Sequence, residues 1–255
     1  MSDFFENVDY KTDGSPFWIL FAQLYGKYFF DVHDTTQQIP KKMHQVWIGG
    51  EVPDNTKRLR DSWIQYHPDW EYKLWGDKDA EEFGMINKEV FDKLKNNGAK
   101  ADVFRYEIVN RCGGIYADTD FECIKSFNDF LHLSFFGGDG YHEAPNTFNG
   151  LFGSVPDHPI LQNMINYIHR LTVKPEYGLA EILGVTGADK LTEILLYYLA
   201  QNDDKIVIFP KNFFYPFPPE LRFGIRKDTL EDQKLVHSYI KPRTYALHYW
   251  KTSWQ

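Results

Sequence analysis

Apolar residues fall at helical spacing between Lys100 and Arg111: Val103, Phe104, Ile108 and Val109 line one stripe, Cys112 continues it, and no Gly or Pro interrupts. Gly113-Gly114 ends this helix, because glycine accepts the left-handed backbone that closes a helix C-terminus. Ile115-Tyr116-Ala117 then reads as a short buried strand, with Asp118, Thr119 and Asp120 at its C-terminal end. Further strands are predicted over 39–48, 71–75, 133–136, 148–154 and 206–209. Helices are predicted over 55–66, with Leu59, Trp63 and Ile64 on the buried face, over 126–131, over 160–171, with Leu161, Met164, Ile165 and Ile168 on one face, and over 190–200. Residues 78–97 read as a charged helical segment, 210–219 as an irregular aromatic loop, and 220–241 as charged and exposed. Strands alternating with helices predict an α/β fold.

The chemistry gathers at the strand that ends in Asp118. Ligands of open α/β sheets bind beyond the carboxyl ends of the strands. Two carboxylates there repel each other unless a cation sits beside them, and Mg²⁺ or Mn²⁺ accepts such oxygens and bridges to substrate phosphates. Asp102 and Arg105, three apart on one face of the preceding helix, suit a ribose-binding acid and a phosphate-binding guanidinium. The plainer reading is a helix-surface ion pair followed by an Asp-rich turn, since Asp-x-Asp alone is common.

The whole string is more specific. Asp102-x-x-Arg105 followed by Gly113-Gly114-Ile115-Tyr116-x-Asp118-x-Asp120 resembles the sugar-nucleotide-binding region of glycosyltransferase family 32. That family includes the yeast initiating α-mannosyltransferase and the mannosyl-inositol-phosphoceramide synthases, and the clostridial glucosylating toxins carry the same arrangement. The resemblance extends over residues 39–254. It includes Pro68-Asp69-Trp70-Glu71-Tyr72 and a closing His248-x-x-x-x-Ser253-Trp254. Ala188 stands where the family usually has proline after Thr186-Gly187, which implies a less rigid loop there.

The resemblance implies a GT-A-type α/β domain at 39–255, with a mainly parallel central sheet flanked by helices, preceded by an N-terminal helical extension at 1–38. It implies retaining transfer of a hexose from a UDP- or GDP-sugar to a glycan, glycolipid or protein acceptor, with Mn²⁺ or Mg²⁺ on the diphosphate. Asp118, Asp120 and Arg105 are the implied catalytic residues, and Asp118, Asp120 and His248 the implied metal ligands. Val46, Trp47, Asp102, Arg105, Tyr116, Asp118, Asn149, Ser253 and Trp254 are the implied donor-binding residues. Of these, Trp47 would stack on the base, with the main chain near Val46 on its edge. Asn149 would meet the sugar, and Ser253 and the Trp254 indole N–H would donate to phosphate oxygens. Two other classes stay open: a haloacid-dehalogenase-like phosphohydrolase, which also begins strand-Asp-x-Asp, and a catalytically inert binding protein for sugar nucleotides or glycans.

Composition changes the picture little. A net charge of -8 argues against a nucleic-acid partner, which would call for a basic face. Cys112 and Cys123 form no disulfide framework and no Asn-x-Ser/Thr sequon occurs, which leans towards a reducing, cytoplasmic or soluble setting. No signal peptide is evident, and the aromatic stretch 17–30 is too short and too interrupted to span a bilayer. That stretch reads as a core-packed helix, an interfacial helix giving peripheral membrane contact, or a partner-docking helix; its lack of a basic face favours the first.

Overall fold

Gly113 and Gly114 turn the chain from its central helix into its central strand with φ of +60° and +101°. A Cβ on Gly114 would stand 2.7 Å from the carbonyl oxygen of Lys42, so no other residue fits the crossing of the two strands. The computed structural model describes residues 2–8, 12–173, 178–202, 204–225 and 229–251. In chain order its elements are α1 (Ser2–Glu6), α2 (Pro16–Tyr25), which continues into one π turn (Gly26–Phe30), β1 (Lys42–Val46), α3 (Lys57–Tyr66), β2 (Glu71–Trp75), α4 (Asp77–Glu82), α5 (Lys88–Lys93) and α6 (Asn97–Cys112). There follow β3 (Gly114–Ala117), β4 (Phe121–Cys123), β5 (Phe135–Asp139), β6 (Thr147–Ser154), α7 (Pro159–His169), α8 (Leu179–Val185), α9 (Ala188–Leu199), β7 (Ile206–Phe209), α10 (Leu230–His237) and β8 (Ala246–His248).

Six strands form one sheet in the order β2-β1-β3-β6-β5-β7. All neighbours run parallel except at β6, which is antiparallel to both β3 and β5. The predicted α/β fold with a mainly parallel sheet is therefore present. Because β6 is reversed, its beginning, around Asn149 and Gly150, shares an edge with the carboxyl end of β3: Ala117 pairs with Leu151, and the Asp118 amide donates to the Gly150 carbonyl at 2.8 Å.

Helix α6 packs on β1, β3 and β6, and α9 packs on β6; α7 bridges α6 and α9. The α7 stripe is the one its periodicity predicts, with Leu161, Met164, Ile165 and Ile168 all buried; each contributes roughly 1.5–3 kcal/mol. His158 caps this helix, its Nδ1 accepting from the Ile160 amide. Helix α2 starts at a Ser15 cap followed by Pro16 and buries Trp18, Phe21, Ala22, Leu24 and Tyr25 in the same core as the sheet, against β7. Of the readings of 17–30, the core-packed helix is the one observed. No helix among the described residues is long and apolar enough to cross a membrane.

Several local expectations are corrected. Ile64 is 48 % exposed, because Trp63 turns inward to donate its indole N–H to the Phe121 carbonyl. The charged segment 78–97 is split into α4 and α5 by Gly84, whose φ is +68°. Residues 220–241, read as exposed throughout, contain α10, and Val236 on it is fully buried. Val236 belongs to a second, small core with Leu59, Phe217, Ile225, Leu247 and Tyr249, built around the two-stranded β4-β8 pair.

Candidate active site

The carboxyl end of β3, the start of β6 and the segment after β8 meet around a cavity of about 390 Å³. Val46, Trp47, Asp102, Arg105, Asp118, Asp120, Asn149 and His248 all line it. Tyr116 does not: it is fully buried behind the wall and reaches the site only through its hydroxyl, which donates to Asp118 Oδ1 at 2.7 Å. Ser253 and Trp254 lie outside the described residues.

Asp102 and Arg105 are not a surface ion pair. Both are buried, and Arg105 Nη2 lies 3.0 Å from Asp102 Oδ1 and 3.2 Å from Asp118 Oδ1. Its Nη1 donates to the Asn149 carbonyl at 2.8 Å, its Nε to the Ala101 carbonyl at 3.2 Å, and its plane rests on the Tyr116 ring. Most of the guanidinium donors are thus spent inside the protein. Asp102 is held from its other sides by Asn149 Nδ2 at 2.8 Å and the Thr186 hydroxyl at 3.0 Å, and Asn149 Nδ2 also donates to Tyr106. Burial pushes the Asp102 carboxyl up to about 6 despite Arg105 beside it. Burial also raises Asp118; Arg105 opposes this and the Asp120 charge adds to it. A carboxylate pair of this kind is stabilised by a cation.

Asp120 faces Asp118 from the turn before β4. Its Oδ1 lies 3.1 Å from His248 Nε2, and its Oδ2 accepts from the Lys251 amide at 2.7 Å. One ligand atom from each of Asp118, Asp120 and His248 falls within 4.8 Å of the others. His248 Nδ1 is buried without a hydrogen-bond partner. Two hard oxygens, one imidazole and a neighbouring glycine that leaves room fit a Mn²⁺-like divalent ion. That glycine is Gly150, where a Cβ would stand 2.8 Å from Asp118 Oδ2. Trp47 also lines the cavity, its indole Nε1 buried and without a partner.

Sequence reasoning missed some of the surround. Thr186 was visible only as part of a turn lining the pocket, yet it anchors Asp102. Glu220 and Arg222 reach the cavity from a segment whose polar pattern read as exposed, and Pro219 reaches it from the end of the aromatic loop before it. Tyr141, Phe148, Tyr215 and Trp250 form an aromatic wall that no spacing rule connects, because they come from four separate segments.

The fold is similar to that of the PaToxG glycosyltransferase, with a TM-score of 0.51 at 15 % identity over 70 % of this chain and 76 % of that one. The sheet, the position of the acidic turn and this likeness give the chain a GT-A-type fold. Within that fold, residues 53–136 match the family described as glycosyltransferase sugar-binding region containing DXD motif. The chain is 28 % identical over 186 residues to inositol phosphoceramide mannosyltransferase 3 of Schizosaccharomyces pombe, covering 71 % of this chain and 49 % of the relative. It is 27 % identical over 190 residues to the uncharacterized glycosyltransferase L373 of Acanthamoeba polyphaga mimivirus, covering 70 % of this chain and 73 % of the relative. The chain thus spans about half the length of the fission-yeast relative. The family resemblance read from Asp102 to Asp120 agrees with these matches, and they do not favour the phosphohydrolase or inert-binder readings.

Proposed function

We propose that this protein is a metal-dependent, retaining glycosyltransferase that moves a hexose from a UDP- or GDP-sugar to a glycan, glycolipid or protein acceptor. The observation that carries the reading is the convergence of Asp118, Asp120 and His248 within 4.8 Å on the floor of the cavity. That cavity is also walled by Trp47, Asp102, Arg105 and Asn149. The name of the fission-yeast relative, an inositol phosphoceramide mannosyltransferase, supports transfer of a hexose and a glycolipid among the acceptors.

Asp118, Asp120 and His248 would hold Mn²⁺ or Mg²⁺, which when bound offsets the negative charge growing on the departing diphosphate. Trp47 stacks on the base, with the Val46 main chain on its edge. Asp102 accepts from the ribose and Asn149 orients the sugar. Tyr116 and Arg105 keep Asp118 ionised and aimed: one donates to its Oδ1 and the other places its charge 3.2 Å away. Ser253 and Trp254 donate to the phosphate oxygens. In the transfer, the bond from the anomeric carbon to the diphosphate oxygen breaks with its electrons leaving on the diphosphate. The acceptor hydroxyl oxygen then bonds that carbon from the same face, and its proton passes to the departing oxygen.

A panel of UDP- and GDP-sugars, incubated with Mn²⁺ or with a chelator and assayed for free nucleoside diphosphate, tests the reading. Metal-dependent release from at least one sugar nucleotide supports it. Release of inorganic phosphate from simple phosphomonoesters, with no nucleoside diphosphate from any donor, overturns it.

A further inference from the structure

The segment that carries His248 is fastened, on the side away from the cavity, to an ionic hub centred on the buried Glu122, which the proposed chemistry does not use. Side chains alternate along this segment. His248 stacks on Phe121 towards the cavity, with ring centroids 4.3 Å apart, and Trp250 follows it onto the cavity wall. Leu247 and Tyr249 turn the other way, into the small core with Leu59, Phe217, Ile225 and Val236.

Glu122, in the middle of β4, is buried at the edge of that core. Its Oε2 accepts from the Tyr249 hydroxyl at 2.6 Å, lies 2.9 Å from Arg58 Nη1 on α3, and lies 2.9 Å from His237 Nε2 at the end of α10. Arg58 Nη2 also donates to the Tyr249 hydroxyl at 3.1 Å. A single carboxylate oxygen therefore ties together α3, β4, α10 and the segment after β8. Tyr249 links this hub directly to the site: its side chain ends on Glu122, while its amide donates to the Asp120 carbonyl at 3.0 Å.

We infer that Glu122, Arg58 and Tyr249 are positioning residues for the cation site: the hub fixes the register of the His248 segment so that His248 Nε2 and the Lys251 amide meet Asp120. β4 and β8 share only three residue pairs, too short a ladder to set its own register firmly. The polar network that joins Glu122, Arg58 and Tyr249 supplies what the ladder lacks, because a slip by one residue would strand Arg58 and Glu122 without these partners. Such a slip would also carry His248 to the wrong face. The inference rests on the reading of Asp118, Asp120 and His248 as a cation site, and it extends that site's support to residues that touch neither cation nor donor.

The test titrates Mn²⁺ into the full chain in the presence of UDP, and separately of GDP, reading free Mn²⁺ by electron paramagnetic resonance. Amide hydrogen exchange at Tyr249 and Lys251 is followed in the same proteins without metal. Glu122→Gln removes the charge, and Tyr249→Phe removes only the hydroxyl and keeps the ring in the small core. Should Glu122→Gln fail to fold, Tyr249→Phe decides alone. Both variants are expected to bind Mn²⁺ about tenfold or more weakly, as losses behind metal ligands do, and to exchange the two amides faster. Unchanged Mn²⁺ affinity and unchanged exchange, whether or not the melting temperature falls, overturn the inference. Asp120→Asn is the control: if it binds Mn²⁺ as well as wild type, the cation reading fails separately, while the exchange data still report on the hub.

Discussion

The backbone amide of Lys251 donates to Asp120 Oδ2 at 2.7 Å, so the second carboxylate of the Asp-x-Asp is oriented by a residue 131 positions further along the chain. With His248 on its other oxygen, Asp120 has both lone-pair faces engaged by one short segment. The geometry separates two properties of this side chain. Its shape serves the segment, and its charge serves the cation proposed above.

Asp120→Asn separates them by experiment. The amide oxygen still accepts from Lys251, so the fold and melting temperature should change little. Loss of the charge should abolish turnover and metal-dependent donor binding, measured by calorimetry with UDP or GDP and Mn²⁺. A variant that stays fully active in a chelator would remove the metal from the mechanism.

Arg105→Lys keeps a positive charge beside Asp118 but loses the planar fork that also serves the Asn149 and Ala101 carbonyls. Turnover should fall at least about tenfold, equivalent to ~1.4 kcal/mol at the transition state. Steady-state kinetics and melting curves on the same preparation decide the matter. A lower melting temperature at unchanged specific activity would make Arg105 a structural ion pair only.

Gly150→Ala tests how closely β6 approaches the cation site. The added methyl would lie 2.8 Å from Asp118 Oδ2, and the carboxylate tip is what must yield. Mn²⁺ affinity should drop about tenfold, the order seen when groups that orient metal ligands are disturbed, with the fold preserved. Unchanged affinity would mean that Asp118 moves without consequence for the cation.

Two buried histidines contribute to the acid side of the stability profile. Burial pulls His44 and His158 each down to about 4. His44 Nδ1 accepts from the Trp75 indole, and His158 Nδ1 accepts from the Ile160 amide, so both rings fold neutral. Unfolded histidine takes up its proton near 6.5, so the unfolded state gains protons first as the pH falls. Their stabilising contribution is complete above that value and is lost as the pH drops from about 6.5 towards 4, at roughly 2 kcal/mol per ring by pH 5. His158→Asn keeps a helix cap without a titrating ring. Urea midpoints at pH 7 and pH 5 should therefore differ less in this variant than in wild type. An equal difference would show that His158 does not contribute to the acid loss.

Much of this site is legible in sequence because it is local. The helix stripe from Val103 to Val109, the Gly113-Gly114 turn and the acidic pair after a buried strand are each set by residues within a few positions of one another. Asn149 was reached only through the family resemblance of its strand. What was not readable depends on distant partners. Thr186 is 84 residues from the Asp102 it anchors. The value of α10 to the fold lies in Val236 and in His237 on Glu122, against an otherwise polar pattern. Trp63 and Ile64 are adjacent and equally apolar; only the Phe121 carbonyl, 58 positions away, decides which turns inward.

The Glu143 carbonyl accepts from both the Asp13 amide and the Trp18 indole, the latter across 125 residues of sequence, and the loop it belongs to carries His142 to the cavity wall. In the order of synthesis this has a cost. Helix α2 is made well before the aromatic faces it packs on, Phe209 and Phe213 against Tyr25. Until then Tyr25 has only its near neighbours Phe4 and Phe29 to pack on, and such late-satisfied apolar segments slow folding and invite aggregation. The loop that carries His142 to the rim of the cavity is therefore tied to a helix whose own packing is completed only by residues made after that loop.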